Sequence, residues 1–263
     1  MTVQQALQCA GIDAREARLL LADAAGFSEA SVVAFPERQL PIEIEKSFLE
    51  KAKRRQSGEP VAYILGRKEF YGLELAVNPA VLIPRPETEL LVDLVLERNP
   101  ASILDLGAGS GAVALAIKRH RPLARVVAVE ASAAALAVAR RNAVKHGLDV
   151  EFRHGRWFEG LGKEHFEAVV SNPPYVAAGD PHLSELRFEP AAALVAGADG
   201  LEAIREIVRA APAHLARGGW LLLEHGQGQD GAVKDLLRAA GFGSLGVWPD
   251  LAGIARVAGG KLE

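Results

Sequence analysis

Apolar residues recur at helical spacing through the first part of the chain. Val3, Ala6 and Leu7, then Ala14, Ala17, Leu20, Leu21 and Ala24, and later Ile44, Phe48 and Ala52 within 42–53, each mark one face of a helix. Gly26-Phe27-Ser28 and Phe35-Pro36 interrupt them, so residues 1 to about 57 read as a small helical bundle without a catalytic constellation. From Gly58 the texture changes. GEPVAYILGRKEFYGLELAVNPAVLIP sets aromatic and β-branched residues between glycines and prolines, which predicts short strands or a hairpin linking two domains. A helix is expected next, with Pro86 near its first turn and Leu90, Leu91, Leu94 and Val95 on its buried side.

The rest of the chain alternates. Strand patterns fall at 102–106, 125–130, 149–153, 166–171, 219–224, 242–248 and 253–258, and helical ones at 111–120, 132–146, 199–216 and 229–240. Such alternation predicts a mainly parallel sheet with helices on both faces and a ligand site outside the carboxyl ends of its strands. The last two strands have no helix between them, so the final one is expected to run antiparallel. The resulting division is a helical domain over 1–73, a linker of hairpin and helix over 74–99, and a ligand-binding domain over 100–263.

Composition narrows the possibilities. With 263 residues, 49% apolar and 24% charged, the chain can bury a large core and does not read as disordered. A net charge of −3 argues against gripping naked nucleic acid through its phosphates. Cys9, the single cysteine, has no internal disulfide partner and forms no metal cluster, which suits a reducing cytoplasm. The opening residues lack a signal-peptide pattern, and no apolar run reaches membrane-spanning length. His154, His165 and His225 show no metal-ligand spacing, so no metal is expected.

Chemistry concentrates in two loops. Asp105-Leu-Gly107-Ala108-Gly109-Ser110-Gly111 lies where the first strand of the alternating region should turn into its first helix. Glycines there let a ligand approach the backbone, and the helix N-terminus offers free N–H groups. Gly107, Gly109 and Ala112 also fit the relaxed dinucleotide pattern. Asp105 tips the balance towards S-adenosylmethionine, because a carboxylate at the sheet edge suits a cationic amino acid moiety better than a pyrophosphate. Glu130, closing the second strand, can accept hydrogen bonds from ribose hydroxyls and so indicates a nucleoside without choosing between the two cofactors.

The second loop is Asn172-Pro173-Pro174-Tyr175, at the end of the fourth strand of that region. Two prolines make it stiff and unable to extend a sheet. In the expected sheet it lies beside the glycine loop. There the Asn172 side-chain oxygen and the Pro173 carbonyl can accept both hydrogens of a planar NH₂ group, and Tyr175 can stack on it. Such a site suits methyl transfer to an amide-like nitrogen, whose lone pair is delocalised and weakly nucleophilic.

GEPVAYILGRKEFYG, LIPRPETELLVD, LDLGAGSGAVALA, SNPPYV, FEPAAALVAGADGL and LLLEHG together resemble the release factor glutamine methyltransferases, the HemK or PrmC family, over nearly the whole chain. The resemblance implies a class I S-adenosylmethionine-dependent methyltransferase with a Rossmann-like, mainly parallel seven-stranded sheet and a small helical domain that docks the substrate. The implied substrate is the Gly-Gly-Gln glutamine of class I peptide chain release factors, and the enzyme is expected to be a cytoplasmic monomer that needs neither membrane nor nucleic acid. By motif, Asp105, Gly107, Ala108, Gly109, Ser110, Gly111, Glu130, Trp157 and Asn172 would bind the cofactor, and Asn172, Pro173, Pro174 and Tyr175 the glutamine. The sister enzyme that methylates a ribosomal protein glutamine, and methylases of adenine or guanine in nucleic acid, share parts of the pattern. Arg156 departs from it, since many relatives are acidic there; its side chain is expected in solvent. Arg85 and Glu87 fit either the substrate mouth or a helix start, and Glu224 either a functional or a structural part.

Overall fold

Thr2, Asp13 and Ser28 start the first three helices by accepting backbone N–H groups at their N-termini: α1 (Val3–Cys9), α2 (Ala14–Ala25) and α3 (Glu29–Ala34). Gly26 ends α2 in the left-handed region, where only a residue without Cβ is relaxed. Two more helices follow, α4 (Ile42–Gln56) and α5 (Val61–Leu65). In the computed structural model, which describes residues 1–263, these helices form one compact unit, Met1–Arg67, and Lys68–Glu263 form another. The first unit buries Val3, Ala6, Leu20, Leu21, Phe48 and Ile64 in its own core.

The α5 helix corrects the expectation of strands directly after Gly58. Pro60 precedes its first turn and left-handed Gly66 closes it, so a helix fits between them, and Ile64 pays for that geometry by joining the bundle core. The hairpin comes only afterwards, as β1 (Arg67–Phe70) and β2 (Leu73–Ala76). A 3₁₀ turn at Pro86–Thr88 leads into α6 (Glu89–Arg98), which buries Leu91, Val92, Leu94 and Val95, with Val92 in the place expected for Leu90.

The second unit then alternates as its pattern requires: β3 (Ser102–Leu106), α7 (Ala112–His120), β4 (Arg125–Glu130), α8 (Ala133–His146), β5 (Glu151–His154), β6 (Phe166–Ser171), α9 (Glu202–Ala210), β7 (Leu215–Glu224), α10 (Asp230–Ala239), β8 (Phe242–Pro249) and β9 (Ala255–Leu262). The seven strands lie in the order β5-β4-β3-β6-β7-β9-β8. The first five of these pair in parallel, and β9 is antiparallel to both its neighbours, β7 and β8. Helix α9 is shorter than its pattern, because left-handed Gly200 delays its start and Pro212, lacking an N–H, turns its end into a 3₁₀ turn.

Successive strand residues face opposite ways, so the sheet is buried on both sides. Ile103, Val126, Ala128 and Val170 pack with α6 and α7 on one face. Leu104, Val127, Val129, Val169 and Leu221 pack with α9 and α10 on the other. Phe70, Leu73 and Leu75 of the hairpin join the first of these cores. What this frame positions is the carboxyl edge at β3, β4 and β6, where the strand order reverses beside β3.

Candidate active site

Leu106 of β3 stands opposite Val129 of β4 and Ser171 of β6, so three loops leave the sheet side by side. The first is the glycine loop. Gly107, Gly109 and Gly111 all have positive φ, and Gly107 and Ala108 donate to the Val129 carbonyl, folding the loop back over the strand ends. Glu130 fixes it from the next strand: one carboxylate oxygen accepts the Gly109 N–H and the other the Ser132 N–H, both at 2.8 Å. Asn142 of α8, fully buried, donates to the Ser110 and Ala76 carbonyls and so ties the loop to the hairpin.

A cavity of about 380 Å³ opens over these loops. Asp105, Gly107, Ala108, Gly109, Ser110, Glu130, Trp157, Asn172 and Pro174 line it, in keeping with the sequence reading. Three other candidate residues do not. Gly111 instead makes the turn into α7, where a side chain would crowd Leu115 and Ala139. Pro173 is buried behind the wall, and Tyr175, expected to stack on a ligand, donates its hydroxyl to Glu224 at 3.3 Å and packs its ring against Gly226.

Asp105 is buried and accepts one hydrogen bond, from the Ala114 N–H. Burial raises its carboxyl to about 7; the Ala114 N–H opposes this and the charge of Glu130 adds to it. A cation beside Asp105 would relieve that cost. On the far side, Trp157 holds a φ of 52°, unusual for an aromatic residue, and its indole N–H donates to Glu206 at 2.8 Å. Arg156, exposed as expected, pairs with the same carboxylate at 2.7 Å and lies over the Trp157 ring.

The site also contains residues that sequence reasoning passed over. Asn172 donates from Nδ2 to the Thr88 hydroxyl at 3.1 Å. Glu189, buried in the long loop after β6, accepts from the Ile83 N–H and from the Arg85 guanidinium, tying that loop to the segment before α6. Thr88 and Val81 line the cavity, and so does Arg85, in keeping with one of the two places that the sequence left open for it. The signal of Thr88 and Glu189 lies inside the IPRPETE and FEPAAAL segments, although nothing local in either predicts a contact across more than eighty residues.

The chain matches the family model described as Methyltransferase small domain over residues 86–240, and the PrmC N-terminal domain over residues 2–66. The release factor glutamine methyltransferase of Neisseria gonorrhoeae is 46% identical over 99% of this chain and 98% of its own length. Its namesake in Xylella fastidiosa strain Temecula1 is 50% identical, over 82% of this chain and 81% of that protein. A methyltransferase structure from Pyrococcus furiosus, at 19% identity and a TM-score of 0.59, covers 81% of this chain and 98% of its own, a likeness of fold.

Proposed function

The chain belongs to the release factor glutamine methyltransferase family, and from that premise we propose that it transfers a methyl group from S-adenosylmethionine to the side-chain amide nitrogen of the Gly-Gly-Gln glutamine in class I peptide chain release factors. One observation carries the reading: Asn172 and the glycine loop, on adjacent strand ends, line a single cavity. The residues present fit the cofactor. Asp105 offers a buried carboxylate to a cationic group, Glu130 keeps lone pairs beyond its two backbone N–H partners for ribose hydroxyls, and Trp157 presents an aromatic wall for adenine. When bound, S-adenosylmethionine supplies an electrophilic methyl group on a sulfonium.

The protein's own part is to hold and aim a poor nucleophile. With Nδ2 of Asn172 engaged by Thr88, Oδ1 is left to accept a hydrogen of the substrate amide. The prolines that follow keep this acceptor from relaxing. Positive charge grows on the amide nitrogen as the new bond forms, so an acceptor already aimed there binds the transition state more tightly than the ground state. Pro174 gives the planar group an apolar wall. The proton is lost after transfer, when the alkylated nitrogen is more acidic, and no general base is required beforehand.

In this reading the helical N-terminal unit docks the release factor, and the protein works as a cytoplasmic monomer. No helix is long and apolar enough to cross a membrane. The test is to incubate the protein with labelled S-adenosylmethionine and, in parallel, purified release factors, the ribosomal protein substrate of the sister enzyme, DNA and ribosomal RNA. Release factor should be the best methyl acceptor. Faster labelling of any other would overturn the assignment.

A further inference from the structure

Asn172 can serve as an acceptor only if its carboxamide is turned the right way, and its two ends differ little in shape. What distinguishes them is the partner on the far side. Nδ2 meets the Thr88 hydroxyl at 3.1 Å, but a hydroxyl can either accept or donate, so Thr88 alone would tolerate both orientations. Behind Thr88 stands Glu224, the last residue of β7, almost wholly buried. Its Oε1 takes the Tyr175 hydroxyl, and its Oε2 is buried with no hydrogen bond. Of the groups around it, the Thr88 hydroxyl does most to favour its ionised form.

A carboxylate only accepts. We propose that Thr88 turns its proton towards ionised Glu224, that its oxygen is thereby left as an acceptor, and that this forces Asn172 to present NH₂ to Thr88 and Oδ1 to the cavity. Thr88 and Glu224 are thus positioning residues for the acceptor that receives the glutamine amide, and the inference rests on that reading of the cavity. Protonating Glu224 reverses the chain: the acid donates to Thr88, Thr88 donates to Oδ1, and Asn172 turns its own NH₂ towards the substrate, where two donors meet.

The surroundings bring this reversal into an accessible range. Burial raises Glu224 to about 7, against the opposing effects of Thr88, Tyr175 and Arg256 and with the negative charge of Glu87 adding to it. Those are the charged and titratable groups facing it from the 3₁₀ turn, the Asn-Pro-Pro-Tyr loop and β9. His225, next in the chain, has Nδ1 at its own neighbour, the Gly226 carbonyl, and burial keeps it neutral. Only the ionised form of Glu224 supports the productive orientation, so turnover should rise with pH through about 7.

The test compares Thr88→Val, Thr88→Ser and Glu224→Gln in the full-length protein, at saturating S-adenosylmethionine so that titration at Asp105 is suppressed. Thr88→Val keeps the shape and loses the hydroxyl; kcat should fall about 10- to 100-fold, as when a supporting partner of a reacting group is removed, with cofactor affinity nearly unchanged. Thr88→Ser should recover most of the loss and keep the acid limb of the pH profile, which Thr88→Val should lack. Glu224→Gln, whose amide can donate to Thr88, should be impaired at every pH. Unchanged kcat in either Thr88→Val or Glu224→Gln, or failure of Thr88→Ser to rescue, overturns the proposal. A second readout is independent of turnover: the Asn172 side-chain NH₂ protons should exchange slowly in the wild type and Thr88→Ser and quickly in Thr88→Val. If the wild type fails to methylate release factor, the proposed function falls, while equal exchange in all three would sink the orientation mechanism by itself.

Discussion

The Trp157 indole and the Glu206 carboxylate are joined by a hydrogen bond of 2.8 Å, and Arg156 closes on the same oxygen at 2.7 Å. A tryptophan in the left-handed region needs such an anchor to keep its ring in the cavity wall. Stacking of an aromatic side chain on a base contributes about 1 to 3 kcal/mol. Trp157→Ala should therefore weaken S-adenosylmethionine binding by that amount, Glu206→Ala by less, and Arg156→Ala least, because the arginine, although it borders the cavity, is exposed and held by Glu206. Calorimetry on the three variants checks the order. A dominant effect of Arg156 would mean that it, and not the ring, contacts adenine.

Asp105 makes opposite demands on stability and on binding. Its carboxyl lies at about 7 in the folded protein against an ordinary value of 3.8, so between those values the folded state holds more protons than the unfolded chain. Stability contributed at this site therefore falls as pH rises through that window. Asp105→Asn should melt higher than the wild type at pH about 8, with little difference at pH about 4. The same variant should bind S-adenosylmethionine poorly, and wild-type affinity should increase with pH through about 7 as the carboxylate forms. Melting curves and titrations across pH decide both halves; an affinity independent of pH would remove Asp105 from the cationic end of the ligand.

Replacing Asn172 tests the nucleophile side of the cavity. Asn172→Ala removes an oriented acceptor, which by analogy with the loss of an oxyanion-hole donor should raise the barrier by about 3 kcal/mol or more. Cofactor binding should weaken but stay measurable, since the Asp105, Glu130 and Trp157 contacts are untouched. Single-turnover methylation beside equilibrium binding separates the two effects, and near-normal turnover would rule out the assigned role.

Tyr175 is where reading the loop in isolation fell short. A stacking ring needs no hydroxyl, yet here the hydroxyl meets Glu224 and the ring lies against Gly226. That bond holds the Glu224 pKa down, so Tyr175→Phe should lift the acid limb of the turnover profile towards higher pH while leaving alkaline turnover close to normal. Rate profiles of the two proteins would show the displacement. Superimposable profiles would mean that Tyr175 does not report on Glu224.

The difference between legible and hidden residues has a physical pattern. Strands β3, β4 and β6 begin and end where their pattern predicts because each is a short apolar run stopped by glycine, an acidic residue or proline. The glycine loop and Asn172 were legible for the same local reason: their backbone requirements are written in their own residues. Thr88, Glu189 and Glu206 look like ordinary surface positions in sequence. They acquire a role only when folding brings partners from 49 to 106 residues away. Helix α5 is hidden in the sequence because its apolar residues are too few to show a period, while Pro60 and Gly66, which decide the matter, also punctuate strands.

The last expectation concerns the helical unit and where it can be separated. The compact division falls after Arg67, although the pattern of the chain had suggested about Glu74. Phe70 and Leu73 belong to the core of the second unit, and burying each large apolar side chain contributes about 1.5 to 3 kcal/mol. A chain beginning at Lys68 should therefore fold and bind S-adenosylmethionine, whereas one beginning at Glu74 loses both residues and the β1 strand and should be markedly less stable. If residues 1–67 dock the substrate, the Lys68 chain should methylate intact release factor poorly, because binding energy from remote surface is what positions a reacting group. A short Gly-Gly-Gln peptide, too small to use that surface, should be a weak acceptor for both the full-length and the shortened protein, and nearly equally so. Thermal melts, cofactor titrations and methylation rates on the two acceptors read every step. Undiminished methylation of release factor by the Lys68 chain would assign the helical unit some task other than docking.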